Sequence, residues 1–271
     1  YLSREEKLAK ITKFKTVANA AMTWKTLEPN AEGDWLNQRN DVFDTFIPMA
    51  PEKKFDAKTT SYFTLNSLGL NSNRDSWVYN FSKIAVKENI SKMVQFYNEQ
   101  VSDYKLQKQK NPKLKATDFI SSDATKISWS SSLIPNLERG NYAIFDEDKI
   151  TTSLYRPFFK QNLYYGDKML HRRGQFNELY PNTKVNNCVI SLTGLGASKE
   201  FSCLISNVMP DLQVQMNNQC FPLYYYEERQ KNSPSLFDAA GDSEYIRRDG
   251  ISDFILERAK KVYGKNVGKE D

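Results

Sequence analysis

Leu68-Gly-Leu-Asn-Ser-Asn-Arg-Asp-Ser-Trp-Val-Tyr-Asn-Phe-Ser82 runs from a glycine turn through a polar loop into alternating aromatic and polar residues, and closes on a serine. The alternation from Ser76 to Phe81 predicts a strand. Ser82 predicts the cap of a following helix, where Ile90, Val94, Tyr97, Val101 and Tyr104 form one apolar stripe at helical spacing. Upstream, Thr60 to Leu65 is strand-like, which leaves Gly69–Asp75 as the loop between two strands. Strand, loop, strand and long amphipathic helix in one run predict an α+β fold. We expect a mixed or antiparallel β-sheet core with flanking N-terminal, middle and C-terminal helices.

The flanking sequence fills in that plan. Ser3-Arg-Glu-Glu6 reads as a capping box, and Leu8, Ile11, Phe14, Ala18 and Met22 predict a helix over about residues 4–20. Trp24 to Trp35 is loop-like, and the apolar run 40–50 ends at Pro48 and Pro51. After the long helix comes Lys105-Leu-Gln-Lys-Gln-Lys-Asn-Pro-Lys-Leu-Lys115, either an arm for phosphates or a solvated loop. From Ile127 to Tyr226 short β-branched and aromatic runs alternate with turn residues. Tyr142–Phe145, Ile150–Tyr155, Gln161–Tyr165, Val185–Leu192, Phe201–Ser206 and Cys220–Tyr226 are the predicted strands. Most lie too close together for crossover helices, so antiparallel or mixed pairing is expected. Residues 231–244 read as loop, and a last helix is expected over about 250–263, stopped by Gly264.

Composition narrows the classes of function. The 271 residues suit one large domain or two small ones, and 39% hydrophobic content supports a core. A net charge of +5 permits a polyanionic partner without requiring one. Cys188, Cys203 and Cys220 are odd in number and widely spaced, which argues against a disulfide framework or a zinc site and fits a reducing cytoplasm. His171 is the single histidine, which removes most metal and triad chemistry. No apolar run reaches the length of a membrane span. The sequence begins at Tyr1 without Met, and we expect a piece of a longer polypeptide.

The usual catalytic signatures are missing. There is no P-loop, no H-E-x-x-H, no nucleophile elbow and no [Asp/Asn]-Pro-Pro-[aromatic] tetrapeptide of an amino-methyltransferase. Ser191-Leu-Thr-Gly-Leu-Gly196 resembles half of a dinucleotide fingerprint, but Lys199 stands at the third glycine position. It reads as a tight turn, or as a place where Thr193 and the amides near Gly194 and Gly196 approach a phosphate. Asp146-Glu-Asp-Lys149 reads as a solvated turn. The positive signals are polar and basic. Asn71, Asn73 and Arg74 offer amides and a guanidinium of the kind that pair with adenine and guanine edges, although Arg74 and Asp75 could instead pair or cap a turn. Lys168, His171, Arg172 and Arg173 fall within six positions, next to the aromatic run Leu154–Tyr165. Such residues bind phosphates, or they snorkel outward while their aromatic neighbours fill the core. Arg156, backed by Pro157, reads as half of a structural ion pair.

One further pattern emerges from motifs taken together. Gly33-Asp-Trp35, the 69–82 segment, Ile127-Ser-Trp-Ser130, Tyr155-Arg-Pro-Phe-Phe-Lys-Gln161, Pro210-Asp-Leu212, Gln219-Cys-Phe-Pro-Leu-Tyr224 and Arg247-Arg-Asp-Gly-Ile-Ser-Asp253 occur in this order. The set resembles the C-terminal specificity region of the Type ISP restriction–modification enzymes, over nearly the whole chain. The resemblance implies single long polypeptides with a nuclease, a helicase-like ATPase, a coupler and an adenine-N6 methyltransferase ahead of a target-recognition domain. It implies a bacterial, cytoplasmic DNA-binding module. S-adenosylmethionine, ATP and Mg are expected in the parent enzyme and no cofactor in this fragment. Residues 1–25 would then be a helical linker leaving the methyltransferase, and 26–271 the target-recognition domain, cut before further helices.

The resulting expectation is a catalytically silent domain that binds double-stranded DNA sequence-specifically and presents a target adenine to the upstream methyltransferase of the same polypeptide. Lys168, Arg172, Arg173 and Lys199 are the expected phosphate contacts, and Asn71, Asn73 and Arg74 the expected polar readers. Two other classes stay open on the residues alone. One is a self-contained enzyme of unfamiliar type, for example carbohydrate-active, signalled by two buried carboxylates on one cleft. The other is a protein-interaction scaffold, signalled by an exposed apolar patch.

Overall fold

The computed structural model describes residues 3–15, 25–31, 33–36, 38–51, 60–130, 132–171, 173–229 and 244–269. The chain divides into two compact units, Tyr1–Phe46 and Ile47–Asp271. In the first, α1 (Arg4–Phe14) starts with the predicted capping box: Ser3 Oγ accepts from Glu6 N at 3.2 Å and Ser3 N donates to Glu6 Oε2 at 2.7 Å. The rest of the predicted first helix, beyond Lys15, lies outside the described residues. Asp34 takes a bidentate contact from Arg39, 2.6 and 3.0 Å, which holds its carboxyl far below the usual range.

In the second unit the helices are α2 (Asp75–Val78), α3 (Lys83–Lys110), α4 (Ala116–Phe119), α5 (Leu133–Glu138), α6 (Phe176–Leu179) and α7 (Asp253–Tyr263). Its strands are β1 (Ser67–Leu68), β2 (Tyr79–Asn80), β3 (Ile150–Arg156), β4 (Phe159–Tyr164), β5 (Val189–Leu192), β6 (Cys203–Ser206), β7 (Met209–Pro210), β8 (Gln219–Pro222), β9 (Tyr224–Glu228) and β10 (Tyr245–Asp249). They form two four-stranded sheets, in the orders β1-β8-β5-β6 and β2-β4-β3-β7, and a β9–β10 ribbon. All pairings are antiparallel except β3 with β7. The architecture is α+β, with a mixed sheet and two antiparallel ones.

α3 organises the core. Ser82 Oγ accepts from Ala85 N at 3.2 Å, and the predicted stripe Ile90, Val94, Tyr97, Val101 and Tyr104 is buried along with Val86 and Met93. These side chains share one cluster with Val78 and Tyr79 before the helix, Leu133 and Leu137 of α5, and Leu163 and Tyr164 of β4. The lysine run is half helix: α3 continues to Lys110, Lys105 lies over the Tyr142 ring at 4.6 Å, and Lys108 Nζ donates to Leu114 O.

Several expected strands change form for identifiable reasons. Tyr142–Phe145 pairs with no strand among the described residues. The Asn98 side chain of α3 takes that role, accepting from Ala143 N and donating to Ala143 O, each at 2.8 Å. Ser76–Phe81 is a strand only at its end, because α2 makes one turn first, with Trp77 N and Val78 N on Arg74 O at 2.9 and 3.2 Å. Thr60–Leu65 contributes one bridge, Phe63 to Ile251, held by Thr64 N on Gly250 O and Ser252 N on Tyr62 O, while the amides of Tyr62 and Phe63 bond Pro48 and Met49. The predicted Cys220–Tyr226 strand breaks at Leu223 into β8 and β9, which belong to different sheets.

Candidate functional site

The polar loop 69–75 is clamped from the side of residues 210–218. Gly69 N donates to Asn218 O at 3.0 Å, and buried Leu70 exchanges backbone bonds with Pro210 and Leu212 at 2.9 and 2.8 Å. A Cβ on Gly69 would stand 2.8 Å from both Asp211 O and Leu212 Cα, so the contact between these backbones requires glycine. The loop then turns on Ser72, whose hydroxyl accepts from Arg74 N at 3.1 Å and donates to Asp75 Oδ1. Asn73 takes the left-handed conformation, φ 54°, which asparagine tolerates better than most residues, and is exposed. Asn71 is half-buried, and its carbonyl accepts from His171 N at 3.1 Å. The side-chain amides of Asn71 and Asn73 have no protein partner among the described residues.

Arg74 corrects the sequence expectation. Its residue is 2% exposed; Nε donates to Ser128 O at 3.2 Å and Nη2 to Ser130 Oγ. Burial lowers the guanidinium to about 10. Arg74 therefore ties the loop to the segment before α5, with its guanidinium turned inward rather than toward the surface. Asp75 does not pair with it. Asp75 accepts from Tyr155 Oη at 3.0 Å and lies 3.5 Å from Arg156 Nη2, while Arg156 Nη1 bonds Asp211 Oδ1 at 2.9 Å. Arg156 also stacks on Tyr155 at 3.8 Å, which makes it the structural ion pair its sequence context predicts. The two carboxylates share this guanidinium, an arrangement that braces β3 against the 69–82 and 211 segments.

The loop lies beside the basic turn through the contact of Asn71 with His171. Within that turn Lys168 Nζ donates to Tyr142 O at 2.7 Å. The Arg173 side chain, 13% exposed, pairs with Asp167 at 2.6 Å, bonds Tyr165 O at 2.9 Å and stacks on the Tyr165 ring at 4.1 Å. Much of the charge of Arg173 is thus spent inside the fold. Arg172 lies outside the described residues.

Lys199 stands on the exposed turn between β5 and β6, without a protein partner among the described residues. That turn is the tight one the half-fingerprint suggested. Gly194 N donates to Met216 O at 3.3 Å, a Cβ at Gly194 would fall 1.7 Å from Asn217 O, and Thr193 Oγ1 bonds Glu200 O and Ser202. Thr193 and the Gly194 amide are therefore occupied, which corrects the phosphate alternative at those two groups. Segment 210–218 thus touches both the 69–75 loop and the 194–199 turn, and on those two stretches the side chains of Asn71, Asn73 and Lys199 have no protein partner among the described residues.

Sequence reasoning used Arg247–Asp253 only as one of the ordered motifs and placed no site residue on the β9–β10 ribbon. There Arg247 is exposed and lies over the Tyr224 ring at 4.2 Å, and Arg248 pairs with Glu227 at 3.1 Å. The signal available was the pair Arg247-Arg248 itself. Among the described residues no group of His, Cys, Asp or Glu could hold a metal ion, and no helix is long and apolar enough to cross a membrane.

The sequence model described as "Type ISP C-terminal specificity domain" matches residues 61–271. No curated protein matches the chain. Among solved structures, a nuclease-deletion mutant of the Type ISP restriction-modification enzyme LlaGI in complex with a DNA substrate mimic is 29% identical, with a TM-score of 0.69 over 93% of this chain. The ATP-dependent Type ISP restriction-modification enzyme LlaBIII bound to DNA is 28% identical, with a TM-score of 0.70 over all of it. The DrdV–DNA complex, at 23% identity and a TM-score of 0.74 over 97%, bears on the fold alone. The chain spans 22%, 16% and 24% of those three chains.

Proposed function

The chain belongs to the Type ISP C-terminal specificity domain family, and from that premise we propose that it recognises a sequence in double-stranded DNA for a restriction-modification enzyme. The observation that carries this reading is the 28–29% identity over nearly the whole chain to LlaGI and LlaBIII, both solved with DNA or a DNA mimic. In this reading the domain works inside a longer polypeptide and presents a target adenine to an upstream N6-adenine methyltransferase. S-adenosylmethionine, ATP and Mg serve that parent enzyme, which acts where bacterial DNA lies, in the cytoplasm. The carbohydrate-active alternative draws no support from Asp75 and Asp211, because Arg156 holds both.

The free polar groups support the following contacts. Lys199 is the phosphate ligand of the β5–β6 turn, with Lys168 at the rim of the second turn and Arg172 beside it in sequence. Asn71 and Asn73 are the base readers, since a free amide can bond an adenine edge bidentately. Arg173 positions this turn more than it neutralises DNA. Lys199→Ala is expected to weaken binding to all duplexes and to reduce the slope of log affinity against log salt by about one. Asn73→Ala is expected to cost about 1–3 kcal/mol at a single base-pair position. Unchanged affinity and salt slope in Lys199→Ala would remove the turn from the interface.

A further inference from the structure

Lys105, Lys108, Lys110, Lys113 and Lys115 fall within eleven residues, and no acidic residue stands between Asp103 and Asp118. All but Lys108 are exposed. Lys87, Lys260 and Lys269 pair with carboxylates elsewhere in the fold, but none of these five does among the described residues. The helix dipole accounts for part of the run. Lys108 and Lys110 occupy the last turn of α3, where cations are favoured by the free carbonyls. That effect fades within the turn and does not extend to Lys113 and Lys115. Lys105 and Lys108 are neighbours on one helix face and repel each other.

Tyr142 joins this run to the basic turn at 168–173. Lys105 Nζ lies over its ring at 4.6 Å, reached past Gly140, which has no Cβ to block the side chain. Lys168 Nζ donates to the Tyr142 carbonyl at 2.7 Å, and the Tyr142 hydroxyl is 3.1 Å from Ser102 Oγ on α3. Two cations distant in sequence are thus held on one residue that is itself 44% exposed. Neither the ring face nor the carbonyl carries a net negative charge, so both ammonium groups keep their capacity to meet an anion.

We propose that the end of α3 and the turn after it, continuous with Lys168 through Tyr142, form a track for the phosphate backbone of duplex DNA outside the base pairs that the domain reads. The inference rests on the reading that the domain binds duplex DNA, and it extends the contact surface from the 168–173 turn along α3. A duplex presents one negative charge per about 1.7 Å of its axis. Lysines are point charges on flexible stems and meet phosphates without a fixed bonding geometry. Such contacts release counterions and carry no sequence information. The track therefore adds affinity for every duplex and leaves the choice of sequence to other residues.

The test is a salt titration of the 271-residue chain on a pool of duplexes with randomised centres, followed by sequencing of the bound fraction. Lys105→Gln/Lys110→Gln/Lys113→Gln is expected to lower the slope of log affinity against log salt by about two to three, and to leave the enriched sequence unchanged. Glutamine matches lysine in helix propensity, so α3 is retained. Lys184→Gln/Lys261→Gln/Lys265→Gln removes three exposed charges elsewhere and is expected to leave the slope as it is. An equal fall in the two variants reduces the effect to net charge and overturns the proposal. A changed sequence preference in the first variant places its lysines among the readers and also overturns it. An unchanged slope in the first variant, with a sequence still enriched, overturns the track and leaves recognition standing. A lowered slope with no sequence enriched by the parent chain defeats the recognition reading and leaves the track standing. A parent chain that binds no duplex overturns both. Polyglutamate bound more tightly than the pool at equal charge concentration, and lost in the first variant, assigns the lysines to an acidic protein segment and overturns the proposal.

Discussion

Asp211 is the carboxylate on which the 69–82 segment and the β3–β4 hairpin converge. It accepts from Tyr79 Oη at 3.2 Å, Gln213 N at 2.9 Å and Arg156 Nη1 at 2.9 Å. Burial nevertheless raises its carboxyl to about 6, because desolvation of the charged form outweighs these bonds. The folded protein therefore holds this proton more tightly than the unfolded chain does. The stability this contributes is fully present below the ordinary value of 3.8 and is lost as pH rises to about 6, beyond which it is level. Asp211→Asn is expected to flatten that part of the stability profile, measured by urea unfolding between pH 4 and 7; an unaltered slope assigns it to another group. Arg74 shows what a local string leaves open. Asn73-Arg-Asp75 suits an outward reader equally well, and the side chain turns inward because Ser128 O and Ser130 Oγ, more than fifty residues on, are there to accept from it.

The elements divide by where their hydrogen bonds close. α3 was legible because its cap and its stripe lie within one stretch; Ser82→Ala is expected to cost about 1 kcal/mol in thermal or urea unfolding. The short strands were harder, since a strand needs a partner that local sequence does not specify. Tyr142–Phe145 has strand composition but finds the Asn98 amide. Tyr245–Asp249 was missed as a strand and pairs with β9. The β5–β6 turn was legible as a turn, although the reason for its glycine was not. Gly194→Ala would drive a Cβ to 1.7 Å from Asn217 O, where main chain must move. The expected loss is about 1–3 kcal/mol in urea unfolding, accompanied by weaker DNA binding as the Lys199 turn shifts. Stability equal to that of the parent would mean that residues 216–217 yield freely.

The whole chain carries a net charge of +5, and some of its cations are internal partners: Arg156 with Asp75 and Asp211, Arg173 with Asp167, Lys87 with Glu147, Lys269 with Asp249 and Asp253. These pairs engage only a few of the 38 Lys and Arg, so the salt slope is set by which of the exposed ones face the DNA. The 271-residue chain is expected to bind duplex DNA and to show neither methyl transfer nor ATP hydrolysis. Turnover of either kind by the purified chain overturns a recognition-only role. Ordered motifs, caps and helical periodicity are properties of the string, so the family, the α+β class and the central helix could be read before any coordinates. Which polar groups stay free could not. That depends on which residues distant in sequence meet, as Arg74 meets Ser130 and Gly69 meets Asp211, and a buried group must find a partner that only the folded chain brings within reach.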